Sequence, residues 1–268
     1  MLYSIQNIRG WAVTVLSAEA RNRPDNLERD EEIMELQGKC AQCMLPKRIC
    51  QKKDGSNPAF CSTVLYPEAL AKAAQEYEKK DVREFAFQAS AQEAECYIDR
   101  SAVPAYRFPV KPRLQEIIEF SRRMGYRKLG VAFCSGLHRE AAIFCKILED
   151  HGFDVVSVMC KVGGVDKTAI GIEFDSQARI HAGEFEPMCN PISQAEVLNA
   201  AGTEFNILLG LCVGHDSLFM KYSKALVTVF AVKDRVLAHN PLGAIYTYES
   251  YYERFKKDRL KTLKVKDE

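Results

Sequence analysis

Apolar positions along this chain change their spacing near residue 126. Before that point, strong helix formers and apolar residues at helical spacing predict helices over 67–77, 81–96 and 114–124. After it, four short runs are apolar almost throughout and are bounded by glycine or polar turn residues. Those runs cover residues 128–134, 153–160, 205–212 and 225–232. Continuous apolar runs of this length are typical of parallel strands that are buried on both faces.

Helical segments separate the four runs. They cover residues 137–150, 192–201 and 217–222, and a closing helix is predicted over 242–257. This alternation of strand and helix favours an α/β fold with a doubly wound, Rossmann-like parallel sheet of about four strands. Ligands of such sheets bind outside the carboxyl ends of the strands, where helix N-termini converge.

Composition divides the chain into five segments. They are a poorly packed N-terminal arm (1–36), a cysteine knuckle (37–65), a helical region (66–125), the α/β domain (126–258) and a charged tail (259–268). The run Arg21-Asn22-Arg23-Pro24 interrupts any early element, and Met34 stands just before the first cysteine. The hypothesis follows that residues 1–33 are an extension and that the natural protein starts at Met34.

Charge and hydrophobicity exclude several classes of protein. Hydrophobic residues make up 47% of the 268 positions, as in an ordinary globular protein, and no stretch approaches the length of a membrane span. Lys+Arg is 37 and Asp+Glu is 36, so the net charge of +1 produces no field over the whole chain that would attract nucleic acid or an anionic membrane. We expect a cytoplasmic protein with reduced thiols and no membrane partner.

The knuckle holds four of the ten cysteines, Cys40, Cys43, Cys50 and Cys61, with the spacing C-x2-C-x6-C-x10-C. The sequence around them is polar and rich in turn residues, so these thiols are not explained as small buried hydrophobes. Four soft ligands in so short a segment predict one metal centre, either zinc or a [4Fe-4S] cluster.

A second group of cysteines follows the predicted strands. Cys134, Cys160 and Cys212 each end a strand, and Cys189 stands just before the helix that opens with Asn190-Pro191. Because the carboxyl ends of parallel strands meet at one edge, we expect these thiols to form a shared cofactor site, such as a second iron–sulfur cluster. Disulfide pairing between two of them and simple packing at each strand end are the alternatives.

Other polar residues stand near the same edge. His215 and Asp216 lie in the turn after the third strand, and Lys233 and Asp234 follow the fourth; these four are the catalytic candidates. Asp216 could equally be the N-cap of the next helix, and Lys233 and Asp234 could belong to a salt-bridged loop.

Glycine-rich segments add one further candidate. Gly163-Gly164, flanked by Lys161 and Lys167, could hold an anion. Neither the G-x-G-x-x-G nor the Walker A spacing is present, so no motif supports nucleotide binding.

Three longer motifs, together with the knuckle, resemble a known family. They are Met188-Cys-Asn-Pro-Ile192, Gly210-Leu-Cys-Val-Gly-His-Asp-Ser-Leu-Phe219 and Val232-Lys-Asp-Arg-Val-Leu-Ala-His-Asn-Pro-Leu242. The chain is similar over residues 38–255 to the bacterial and archaeal family called domain of unknown function 1847, which is usually labelled metal-binding and is frequent in anaerobes. The resemblance implies metal binding by Cys40, Cys43, Cys50 and Cys61 and draws attention to Cys189, Cys212, His215 and Asp216. It implies no particular reaction.

Three functions from different classes remain open on the sequence. The first is an iron–sulfur redox enzyme or redox partner, with the strand-end cluster next to a site for a small molecule or a redox protein. The second is a zinc protein without catalysis, in which the knuckle is a structural staple and the α/β domain binds a ligand or senses metal.

The third function is an adaptor that uses the knuckle to bind nucleic acid or protein. Lys47, Arg48, Lys52 and Lys53 make this segment basic, but Phe60 is its only aromatic residue. Single-stranded nucleic acid is normally held by stacking on aromatic side chains, so nucleic acid is disfavoured as a partner.

Overall fold

The structure is a computed structural model, and it describes residues 37–98 and 108–256. Two compact units divide the chain: the first ends at Ala74 and the second begins at Gln75. The predicted arm over 1–36 and the charged tail over 259–268 lie outside the described residues.

The described part of the first unit consists mainly of turns. A single 3₁₀ turn covers Cys40–Gln42, and the short helix α1 covers Ser62–Leu65. A longer helix, α2 (Pro67–Glu76), begins at a proline, whose fixed φ suits the first turn. The Lys39 N–H donates to the Phe60 carbonyl over 3.2 Å and so brings the two ends of the cysteine segment together.

A tight turn shapes the middle of the knuckle. The Ile49 N–H donates to the Ser56 carbonyl, and the Ser56 N–H donates to the Lys47 carbonyl, both over 2.9 Å. A Cβ atom on Gly55 would lie only 2.3 Å from the carbonyl carbon and oxygen of Arg48. Glycine is therefore required where the two sides of this turn approach each other.

Two helices precede the sheet of the second unit: α3 (Lys80–Glu95) and α4 (Arg113–Arg123). Phe85 of α3 meets Phe120 of α4 edge to face with ring centroids 5.1 Å apart, and Phe120 in turn lies 5.6 Å from Phe205 of the sheet. Both helices were predicted from the sequence and are confirmed, with boundaries shifted by one residue.

Four strands form one parallel sheet: β1 (Lys128–Phe133), β2 (Asp154–Met159), β3 (Phe205–Leu211) and β4 (Leu226–Val232). Their spatial order is β2-β1-β3-β4. After β1 the chain adds β2 on one side and then returns past β1 to add β3 on the other. The switch point, where ligands bind in doubly wound sheets, therefore lies between the ends of β1 and β3.

Helices cover both faces of this sheet, as the alternating pattern predicted. α5 (His138–Asp150) connects β1 to β2, α6 (Pro191–Ala201) connects β2 to β3, and α7 (His215–Tyr222) connects β3 to β4. One buried cluster joins α4 and α5 to the side chains of one sheet face, and a second joins α6 and α7 to the other. The chain is thus an α/β protein with a doubly wound sheet.

The strand ends are set by register and by one irregularity. Phe133 pairs with Met159 of β2 and with Leu209 of β3. The pairing of β3 with β4 then shifts around Gly210, whose φ is +71° and whose Cβ, if present, would lie 2.0 Å from Leu137 Cδ1. A glycine at this bulge lets Leu137 pack on the strand and changes the direction of the chain just before Cys212.

A long irregular segment, 161–188, connects β2 to α6 and is organised around one buried arginine. The Arg179 guanidinium donates to Asp166 Oδ1 over 2.6 Å and to Asp166 Oδ2 over 3.2 Å, and it also donates to the carbonyl oxygens of Ile172 and Glu184. This bidentate pair holds the pKa of Asp166 well below its usual range. The segment is therefore ordered by its own ion pair despite having only one 3₁₀ turn, Lys167–Ile170.

The closing helix predicted over 242–257 is wrong in length. The helix α8 covers only Leu242–Tyr246, and a 3₁₀ turn follows at Glu253–Phe255. The Thr247 hydroxyl donates back to the Gly243 carbonyl over 2.7 Å, and residues 248–252 include three tyrosines and a serine, which favour helix weakly. Among residues 37–98 and 108–256 no helix is both long and apolar enough to cross a bilayer.

One buried polar side chain fastens α6 to the sheet. The Gln194 amide is fully buried and donates to the Val158 carbonyl over 2.7 Å and to the Phe133 carbonyl over 3.2 Å. Both carbonyls lie at the carboxyl ends of their strands. An apolar residue at position 194 would leave the Val158 oxygen without this donor in a dry environment.

We therefore expect Gln194→Leu to lower the free energy of unfolding by about 1–3 kcal/mol, the usual cost of a buried polar group left without its partner. Urea denaturation followed by circular dichroism measures it. Gln115→Leu, an exposed position on α4, is the matched control and should change the free energy by less than about 0.5 kcal/mol. Equal stability of the two variants would contradict this role for Gln194.

Candidate functional site

Cys134 and Cys160 lie side by side at the ends of neighbouring strands. They are the next residues after the Phe133–Met159 pair, so parallel register places them opposite each other. Both are buried in the cluster beneath α6 and α7. The backbone N–H of Ser135 donates to the Cys160 sulfur over 3.3 Å, which holds the turn after β1 against the end of β2.

The start of α6 brings Cys189 to the same place. Asn190 caps this helix, because its side-chain oxygen accepts from the Ser193 N–H over 3.1 Å. The Asn190 N–H donates to the Cys160 carbonyl over 2.7 Å. As a result the sulfurs of Cys189 and Cys160 are 4.0 Å apart.

Cys212 stands at the end of the third strand. It follows the bulge at Gly210 and is half-buried, and its sulfur accepts from the Arg235 guanidinium over 3.2 Å. The charge of Cys212 nevertheless acts on Cys189, whose pKa it raises slightly against larger opposing effects. The four sequence-predicted residues thus stand at one edge of the sheet, three of them in a chain of contacts and the fourth beside it.

Basic side chains accompany these thiols. Lys233 lies near Cys134 and Lys161 lies near Cys189, and each lysine lowers the pKa of its neighbouring thiol. Lys161 is also fixed by a 2.5 Å hydrogen bond from its ammonium to the Pro187 carbonyl. With Arg235 on Cys212, three of the four cysteines have a cation of their own.

The thiols differ widely in acidity. Hydrogen bonding to Cys160 and burial raise the pKa of Cys134 to about 12. Hydrogen bonding to Cys160 lowers the pKa of Cys189 to about 6, and Lys161 lowers it further against the effect of burial. At neutral pH Cys189 is therefore a thiolate while Cys134 keeps its proton.

The four catalytic candidates line the same edge, with one correction. Asp216 is not the N-cap of α7; Gly214 holds that position, and the Asp216 carboxylate accepts from the Ser217 N–H over 2.8 Å. Glycine takes the cap because its φ there is +83°, which an aspartate adopts less readily. Burial lowers the pKa of His215, and the charge of Lys161 lowers it further, so its imidazole is neutral at pH 7.

Lys233 and Asp234 do not form the salt-bridged loop considered above. The Asp234 carboxylate accepts from the N–H groups of Val236 and Leu237, at 3.0 and 2.8 Å. This bends the chain after β4 and directs Lys233 toward Cys134. Asp234 therefore shapes the loop, and Lys233 is the member of the pair that reaches the thiols.

The knuckle cysteines surround a small pocket within the first unit. Cys40, Cys43, Cys50 and Cys61 all line a cavity of about 120 Å³, together with Ile49 and Phe60 among others. The Cys40 sulfur is 3.2 Å from the Ser62 hydroxyl, and hydrogen bonds from the Ser62 side chain and backbone lower the pKa of Cys40. All four thiols therefore line the same pocket. No histidine, aspartate or glutamate is among the described residues that line it.

Neither cysteine set has the geometry of a closed coordination sphere. In the part of the chain that the structure describes, no three histidine, cysteine or acidic side chains are grouped closely enough to hold a metal ion as they stand. The donor chemistry suits soft metals at both places.

Sequence reasoning missed the pairing of cations with thiols. The sequence predicted Lys161 as part of an anion site and gave Arg235 no role, although both lie next to strand-end cysteines. The signal available in the sequence was positional, since each basic residue follows a strand closely. It also missed a cavity of about 480 Å³ lined by α3, α4 and the start of β4, with Phe85, Cys96 and Arg113 among its walls.

Comparison with known proteins identifies relatives of this chain. The model of a family described as protein of unknown function (DUF1847) matches residues 61–230, which include all four strand-end cysteines and, of the knuckle cysteines, Cys61 alone. The uncharacterized protein MJ0455 of Methanocaldococcus jannaschii is 45% identical over 214 residues, which cover 80% of this chain and 95% of that relative. No solved structure matches the chain.

The acidity of Cys189 can be tested on reduced, metal-free protein. Alkylation by iodoacetamide should increase as the pH rises through about 6 at Cys189, because the thiolate is the reactive form, whereas Cys134 should stay unreactive at neutral pH. Peptide mass spectrometry after timed quenching measures both. Lys161→Gln should move the Cys189 midpoint to higher pH; a wild-type midpoint near the ordinary thiol value of 9.0 would contradict the geometry.

Proposed function

The chain belongs to the DUF1847 family of proteins of unknown function, and on that premise we propose that it is a cytoplasmic metal-binding protein with two cysteine centres. One centre is held by the knuckle and the other by the four strand-end cysteines, the second being an iron–sulfur cluster with a redox role. The observation that supports this best is the meeting of Cys134, Cys160, Cys189 and Cys212 at the carboxyl edge of the sheet. The strands and helices thus bring four thiols from distant parts of the sequence to the edge where doubly wound sheets bind ligands.

The surroundings of the strand-end cysteines suit an anionic cluster. A bound iron–sulfur cluster would supply one-electron transfer. The chain's own groups stabilise negative charge on sulfur: Ser135 and Gly136 donate backbone N–H groups to Cys160 and Cys134, and Arg235 donates to Cys212. Hydrogen bonds and positive charge at the sulfurs favour the reduced state of such a centre and raise its potential. A small molecule or a redox protein would be the partner.

The near absence of buried side chains in the knuckle supports a metal site there. Between residues 37 and 74 only Cys61 is buried, so this described part of the first unit has almost no apolar core. Segments of this kind need a crosslink or a metal to hold one conformation. Zinc or a [4Fe-4S] cluster would satisfy this need at the four-thiol pocket.

A zinc protein without catalysis is the second candidate function. The absence of a core in the knuckle favours it equally well, because a structural zinc would serve as the staple. In that case the α/β domain binds a ligand or senses metal. Anaerobic purification followed by metal analysis and visible spectroscopy separates the two: a brown protein bleached by dithionite supports the first, and a colourless protein containing zinc alone supports the second.

The knuckle centre can be tested with Cys43→Ser. We expect this variant to lose close to one centre's worth of metal and to become sensitive to protease between residues 38 and 62, since a structural metal contributes its binding energy to folding. Metal analysis and limited proteolysis measure the two effects. Cys145→Ser, a half-buried helical cysteine outside both sets, should keep the full metal content. Unchanged metal and protease resistance in Cys43→Ser would rule out this site.

The strand-end centre can be tested separately with Cys212→Ser. This variant should lose the second centre and its visible absorption while the metal of the knuckle stays in place, because Cys212 lies at the partly exposed side of the cluster. Metal stoichiometry and the absorption spectrum report it, again with Cys145→Ser as the control. A second centre that survives both Cys212→Ser and Cys160→Ser would refute the assignment.

A further inference from the structure

Three cations at the strand-end site have no carboxylate partner. Lys161, Lys233 and Arg235 are absent from every ion pair within the described ranges, 37–98 and 108–256. Their contacts are the thiols of Cys189, Cys134 and Cys212, and the Pro187 carbonyl. The positive charge of this edge is therefore not neutralised by acidic side chains.

The acidic residues nearby accept hydrogen bonds from backbone N–H groups. The Asp234 carboxylate accepts from the N–H groups of Val236 and Leu237, and the Asp216 carboxylate accepts from the Ser217 N–H. Both carboxylates are thus held by their own backbone. Within the described residues neither carboxylate forms an ion pair with the three cations, so a negatively charged ligand can still be attracted to them.

Gly136 lies beside two of these groups. A Cβ there would lie 3.6 Å from the Lys233 ammonium nitrogen and 4.0 Å from the Cys134 sulfur. The turn after β1 therefore has the lysine and the thiol next to each other at the end of the sheet.

We propose that the strand-end site binds a small oxyanion as its substrate or ligand, held by Lys161, Lys233 and Arg235 beside the cysteines. This inference rests on the proposed function, since it names the class of ligand at the same site. The net charge of the whole chain is only +1, so the attraction is local and suits a small ion rather than an extended polyanion. An arginine adds planar, bidentate recognition of a carboxylate or phosphate, and the two lysines add point charges.

The half-buried positions of the two lysines strengthen the argument. Lys161 and Lys233 are both only partly exposed, so their charges are less screened by solvent than those of ordinary surface lysines. An oxyanion between them would receive charge-assisted hydrogen bonds from both.

The experiment uses full-length protein as purified anaerobically, titrated with inorganic phosphate and, in parallel, with acetate by isothermal calorimetry at low ionic strength. We expect saturable binding of one anion, which weakens as salt is added; tighter phosphate identifies a tetrahedral oxyanion, and tighter acetate identifies a carboxylate. Arg235→Gln and Lys233→Gln should each weaken binding at least about tenfold, as expected for loss of one charge-assisted hydrogen bond.

Lys221→Gln is the charge-matched control, because Lys221 is exposed on α7 and lies over the ring of Tyr222, away from the strand-end cysteines. Its affinity should stay within about twofold of the wild type. Absence of saturable binding in the wild type, or an equal loss in Lys221→Gln and Arg235→Gln, would overturn the proposal.

Metal analysis of the same samples separates this inference from the proposed function. A second centre without anion binding refutes the oxyanion site alone. Anion binding that depends on Arg235 in protein without a second centre refutes the metal assignment and supports the oxyanion site. Retention of the second centre in Arg235→Gln would show that lost binding comes from the lost cation rather than from a lost cluster.

Discussion

The parallel pairing of β1 with both β2 and β3 is the constraint on which the rest of this protein depends. It fixes Phe133 against Met159 on one side and against Leu209 on the other. Everything beyond these residues, including two buried cysteines and the turns that follow them, is placed by that register. The helices bury their apolar sides against the two faces of the sheet. The strand ends then remain as one shared edge.

Position along this edge also explains why chemically identical thiols differ. Cys134 and Cys160 continue the alternation of the strands and enter the cluster beneath α6 and α7. Cys212 follows the bulge at Gly210 and is turned toward Arg235 instead. Interaction with Cys160 raises the pKa of Cys134 but lowers the pKa of Cys189, and the charge of Lys161 lowers the pKa of Cys189 further.

The two units are stabilised in different ways. The second unit buries strands β1 and β3 on both faces and is stabilised by its apolar clusters. The described part of the first unit has turns, one glycine forced by close backbone contact, and four cysteines around one pocket. Where too little apolar surface is available, crosslinking by a metal is the usual substitute for a core.

The sequence by itself determined the fold class and the positions of the four strands, because continuous apolar runs between helices have few other interpretations. It also marked the cysteines as a set, since three of them end strands. Only the tertiary structure decided on which face of the sheet each sulfur lies and which cation lies beside it. It also decided that Gly214 rather than Asp216 is the N-cap of α7. It also decided that α8 ends at Tyr246. These features depend on register, on a bulge and on contacts between residues far apart in the chain, and no local pattern of residues encodes such contacts.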